Sequence, residues 1–155
     1  MEMALSDATW SQYLSKVAQS AEEAGVFAEI ASESDRLDCQ ARSSAAPAWY
    51  RLERDGGVTW VALVTPDRWL SQSIEQDLVH TGDKLNELLE EELAELGASD
   101  RAGTIRVEHF RSEDKLFTFR TPLRDSATPE ECARWMLAYE ACFRRLGDME
   151  AGQDD

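Results

Sequence analysis

At 155 residues and 17.5 kDa, 43% hydrophobic and 30% charged, the chain has the size and composition of one globular domain with its own core. Its 16 Lys and Arg stand against 31 Asp and Glu, a net charge of −15, well beyond the magnitude of roughly 2–8 usual for a small domain. That sign speaks against nucleic acid and anionic membrane, which need a basic footprint, and leaves a basic or amphipathic protein segment as the expected partner.

The first periodic segment runs from Asp7 to Ala24. Trp10, Tyr13, Leu14, Val17, Ala18 and Ala21 recur at three- and four-residue steps and share one helical face. Ser6 is the expected N-cap, and Gly25 the stop. Val26 to Glu33 reads either as an extension of this helix or as a covering loop. The period then drops to two, with Leu37, Cys39 and Ala41 alternating with Arg36, Asp38, Gln40 and Arg42, which predicts a half-buried strand. Trp49–Arg54 and Val58–Val64 are two further strands joined at Asp55-Gly56-Gly57, residues that accept positive φ in a tight hairpin. Tyr50, Leu52, Val61 and Leu63 then share one face, and Trp49, Arg51, Glu53, Trp60 and Ala62 the other.

Thr65-Pro66-Asp67 predicts a helix start with Thr65 as cap and proline at the first helical position. Leu70, Ile74, Leu78, Leu85, Leu89 and Leu96 hold one helical phase, so a single long helix is expected to about Leu96, kinked at Thr81-Gly82. After the Gly97–Gly103 loop comes a second hairpin, Ile105–Phe110 with Leu116–Arg120. An odd loop at Ser112-Glu113-Asp114 would place Ile105 and Val107 beside Phe117 and Phe119, and Phe110 opposite Leu116. Thr128-Pro129-Glu130-Glu131 opens the last helix with a cap, an N1 proline and the Glu of a capping box, and Gly147 ends it. The order is helix, three strands, helix, two strands, helix. That order implies an α+β domain over residues 1–147 with an antiparallel sheet, followed by an acidic, disordered tail over 148–155.

Three features carry a resemblance. Asp55-Gly56-Gly57 lies between the second and third strands, and Leu85-Asn86 lies on the long helix. The run Phe117-Thr118-Phe119-Arg120-Thr121-Pro122-Leu123 precedes the capped helix from Thr128. In element order, size and acidity, Ser6 to Gly147 resembles the type III secretion chaperone-like fold group, which includes the class I secretion chaperones and YbjN-like proteins. The resemblance implies a non-enzymatic binding protein, often a homodimer, that holds a partner segment in extended form.

Motifs for chemistry are sparse. His80 and His109 have no His or Cys close in sequence, and Asp77 with His80 reads as a solvated pair, so no metal or cofactor is expected. No Gly-x-Ser-x-Gly elbow or phosphate-binding glycine loop occurs, and Ser71 and Ser73 read as ordinary helix residues. Cys39, Cys132 and Cys142, an odd number at unrelated spacings, read as buried reduced thiols in a cytoplasmic protein. Glu87, Glu91 and Glu95 are like charges at i, i+4, each pair unfavourable by about 0.2–0.5 kcal/mol, so they read as a solvated face or as a docking strip for a basic segment. Trp49, Trp60, Phe110 and Leu116 fall on the charged strand faces. They are the expected partner or dimer surface, unless a loop such as Val26–Glu33 covers them. The alternative function is a small-molecule binder or enzyme in a cleft between helix and sheet, marked by convergent polar groups and a carboxylate or His of shifted pKa.

Overall fold

The computed structural model describes residues 7–33, 35–42, 44, 46–81, 84–97, 105–113, 115–123, 127–146 and 149. Helix α1 (Asp7–Ala24) leads into strands β1 (Ile30–Ser32), β2 (Arg36–Gln40), β3 (Trp49–Asp55) and β4 (Val58–Thr65). Helices α2 (Arg68–Thr81) and α3 (Leu85–Glu95), strands β5 (Glu108–Arg111) and β6 (Phe117–Pro122), and helix α4 (Pro129–Phe143) complete the order. The strands form an antiparallel six-stranded sheet in the order β1-β2-β3-β4-β6-β5, so the fold is α+β with helices packed on a sheet.

Strand alternation sorts the side chains as the period-two pattern requires. Leu37, Leu52 and Val61 lie in one row across the inner face, and Cys39, Tyr50, Leu63, Phe119 and His109 in the next. The apolar members of these rows join buried residues of all four helices, such as Leu14, Ile74, Leu93 and Phe143, in one continuous core. The four helices therefore cover that face. On the outer face of β4, Trp60, Ala62 and Val64 are buried yet stand outside this core. Trp60 lies beneath the Arg120 guanidinium, Ala62 stands between Arg51 and Arg120, and Val64 between Trp49 and Thr118, with Asp38 directly opposite Arg51 and Glu108 opposite Arg120.

Two local signals hold as expected. Gly56 and Gly57 both take positive φ, 64° and 80°, and join Asp55 to Val58 in a two-residue turn. At α4 the Thr128 hydroxyl accepts from the Glu131 N–H at 3.1 Å, and the Thr128 N–H donates to the Glu131 carboxylate at 2.9 Å, which is the capping box. The Ser6 cap lies outside the described residues.

Four expectations are corrected. The segment Val26–Glu33 is neither helix nor loop over the outer face. Only Ile30–Ser32 of it forms a strand, the edge strand β1, while the connection before it buries Phe27 in the inner core. The single long helix is two helices, because Lys84 turns extended (φ −114°, ψ 131°) between α2 and α3. Thr65 does not cap a helix. It stays in β4 opposite Phe117, donating to the Pro47 carbonyl at 2.8 Å while its hydroxyl accepts from the Asp67 N–H at 3.1 Å, and α2 itself, which starts at Arg68, is capped by Asp67 accepting from the Leu70 N–H at 2.8 Å. Finally, β5 begins only at Glu108, and Phe110 faces Thr118 rather than Leu116. The register slips by two residues because the loop is set one position later, with Lys115 at φ 65° and Ser112 bonded to Leu116. An even slip keeps every side chain on its expected face. Met149, within the expected tail, is 2% exposed and packs in the core, and the rest of that tail except Met149 lies outside the described residues.

Candidate binding cleft

Strand β5 lies at the edge of the sheet, with β6 as its one neighbour among the described strands. Helix α2 runs back over the inner face from β4, and α3 begins beside it. Between these helices and the chain arriving at β5 lies a cleft of about 660 Å³. Its apolar walls are Leu78 and Val79 of α2, Leu85 of α3, Ile105 and Val107 ahead of β5, and Phe119 of β6. Val79 is 83% exposed on the lip. Glu75, Asn86, Arg106 and His109 supply the polar lining.

His109 organises one wall. Its ring stacks on Phe119, with centroids 3.8 Å apart and planes 7° from parallel. A carboxylate only accepts, so Nδ1–H donates to Glu75 Oε2 at 2.7 Å, and Nε2 accepts from the Ser71 hydroxyl at 3.2 Å. Burial pushes the His109 pKa below its ordinary value, and attraction to Glu75 only partly opposes this. The order carboxylate, imidazole, hydroxyl is that of acyl-transfer triads. Ser71, however, is 2% exposed and does not line the cleft, so a carbonyl held there does not meet its oxygen. The trio fastens α2 to the edge strand.

A neutral His109 makes stability pH-dependent in a definite direction. The unfolded chain takes up this proton near pH 6.5 and the folded chain only at lower pH, so its contribution is full above pH 6.5 and is lost as pH falls through the folded value. Urea midpoints at neutral and mildly acidic pH are expected to fall further in the native chain than in His109→Phe. The comparison between the two chains removes the opposing effect of Glu53, whose carboxyl burial raises.

The expected surface residues divide into two groups on opposite sides of the sheet. Glu87, Glu91 and Glu95 are exposed on α3, the inner-face side, with Leu89 and Leu93 buried behind them. Their strip starts where Leu85 and Asn86 line the cleft, and its far end borders a smaller cleft of about 390 Å³ shared with Arg144 and Arg145. Trp49, Trp60, Phe110 and Leu116 are on the outer face. Trp60 is no surface residue, being only 6% exposed beneath the Arg120 guanidinium, which sits 3.7 Å from its ring. Trp49 and Leu116 are half-buried, while Phe110 is 36% exposed with Arg120 4.9 Å from its ring. Serine at both Phe110 and Leu116 is therefore expected to lower stability by about 1–2 kcal/mol in urea unfolding, well short of what two fully buried side chains would lose.

Sequence reading did not bring Ser71, Glu75 and His109 together. The one available signal is phase, since His109 continues the Ile105, Val107 alternation and puts a polar ring where an apolar residue is due. All three cysteines are buried and outside any disulfide, with burial pushing the Cys39 pKa up to about 12 and that of Cys132 up to about 11. Among the described residues no group of three or more His, Cys, Asp or Glu could hold a metal ion, and no helix is long and apolar enough to cross a membrane. Comparison with family models, curated proteins and solved structures returns no match.

Proposed function

We propose that the protein is a non-enzymatic, chaperone-like binding domain that holds an extended segment of a partner protein in this cleft, along the free edge of β5. The observation that carries the reading is the cleft itself, with apolar walls and an exposed aliphatic lip, opening beside an edge strand that among the described residues has no second neighbour. A segment added to β5 would direct alternate side chains toward the inner face, where the cleft lies. The likeness in size and acidity to the secretion chaperone and YbjN-like group supports the same reading, although the observed order adds strand β1 and divides the long helix in two. A homodimer and a cytoplasmic setting accompany it, and sedimentation at micromolar concentration tests the dimer.

A second reading, a small-molecule or enzyme site, draws on the same cleft. Its volume falls in the roughly 300–1,000 Å³ range of ligand sites, and the lowered pKa of His109 favours it. The closure of Ser71 weighs against it.

Short random peptides displayed on phage and panned against the full chain test the first reading. Peptides that bind are expected to slow amide exchange over His109–Arg111 and to lose binding to Val79→Asp at an unchanged urea midpoint. Binders indifferent to Val79→Asp and without effect on β5 amides would reject it.

A further inference from the structure

We infer that the segment this cleft takes carries a Lys or Arg two residues from its apolar anchor, recognised by Glu75. The inference rests on the binding reading above. Among the described residues lining the cleft, Glu75 is a carboxylate that no Lys or Arg side chain pairs. Its side chain is 48% exposed, and its partner is the His109 imidazole, whose burial disfavours the cationic form. Arg106, the cation among the lining residues, is already paired with Glu108 at 3.2 Å and lies 5.9 Å from the Trp60 ring on the outer face. Asn86 is neutral, and Glu87 follows it, exposed, in the first turn of α3. Exposed Lys84, just before Leu85, offsets Glu87, so the discriminating acid at the opening is Glu75, and on a chain of net charge −15 a basic segment is favoured over an acidic one.

The spacing follows from helix and strand geometry. Glu75 and Val79 are one turn apart on α2, about 6 Å. Two residues of extended chain span about 7 Å and point the same way. A side chain packed on Val79 thus brings the one two residues away to Glu75.

The composition of the selected phage peptides tests this at low and at high salt. Winners are expected to pair an aliphatic or aromatic residue with Lys or Arg two positions away, and to weaken at high salt. Glu75→Lys is expected to lower the affinity of such a peptide about tenfold and to turn selection toward Asp or Glu at that position. Glu75→Gln, which keeps an acceptor for His109, should weaken the preference without reversing it, with only a small fall in the urea midpoint. Apolar winners with no charge preference, unaffected by Glu75→Lys but lost with Val79→Asp, would overturn this inference and leave the binding reading standing. Winners indifferent to both variants would overturn both.

Discussion

Phe119→Ala is expected to destabilise the protein by about 3–5 kcal/mol, the loss typical of a buried aromatic ring. Phe119 is 2% exposed at the centre of the inner face, directly opposite Leu63 on one side and His109 on the other. Its ring lies 5.2 Å from that of Phe143 of α4 and carries the stacked imidazole on its other side. Truncation therefore opens a void that joins the core to the cleft, and it leaves His109 held only by Glu75 and Ser71. Phe119→Leu keeps most of the volume and loses the stack, so about 1 kcal/mol is expected there. Urea unfolding of the two variants beside the native chain checks the ordering. If the two losses are alike, the ring is not the wall that core and cleft share. Both variants should also weaken peptide binding, the alanine more, because the cleft loses its inner surface.

What the sequence made legible is local. Gly56-Gly57 can hardly be anything but a tight turn, and Thr128 with Glu131 completes a cap within four residues. The alternation in β3 and β4 assigns faces without knowledge of neighbours. The failures each involve information from elsewhere in the chain. Strand β1 is three residues long and shows no period, so only its pairing with β2 defines it. The leucine phase from Leu70 to Leu96 runs on across Lys84, and periodicity does not register a break that preserves it. Thr65 carries a good capping side chain, but pairing with β6 and the bond to Pro47 retain it in the sheet. Trp60 falls on the face its parity predicts, yet it is covered because Arg120 reaches across from the next strand. Strand parity gives a direction and says nothing of what long neighbours cover. The cleft is the same problem on a larger scale. Ser71 and His109 are 38 residues apart, and only the sheet order brings them together.

Asp38→Ala is the second large effect expected, about 3 kcal/mol, although the residue sits on the face that no described helix covers. Asp38 accepts from Arg51 Nε at 2.7 Å and from Arg36 Nε at 3.2 Å. Its side chain is 13% exposed and that of Arg51 11%, so the pair is closer to a buried ion pair than to a surface one. An exposed pair is worth about 0–1 kcal/mol, whereas breaking a buried pair leaves a desolvated charge and costs about 3–5 kcal/mol. Glu53, next to Arg51 along the strand face, bears out the dryness of this surface, since burial raises its carboxyl even though Arg51 pulls it down. The matching pair on the other flank behaves differently. Glu108 is 34% exposed, and Arg120 keeps a second acid, Asp55, at 3.1 Å. Glu108→Ala is therefore expected to lose only about 1 kcal/mol, because the guanidinium retains a partner. Replacing both Asp38 and Arg51 with leucine should recover most of the loss of Asp38→Ala, since no charge is then left without its counterpart. Urea unfolding at low and high salt checks the set, and little salt dependence is expected for the Asp38 loss. Equal losses for Asp38→Ala and Glu108→Ala would mean that water reaches both pairs alike, and that Trp60 and Ala62 owe their burial to something other than the arginines beside them.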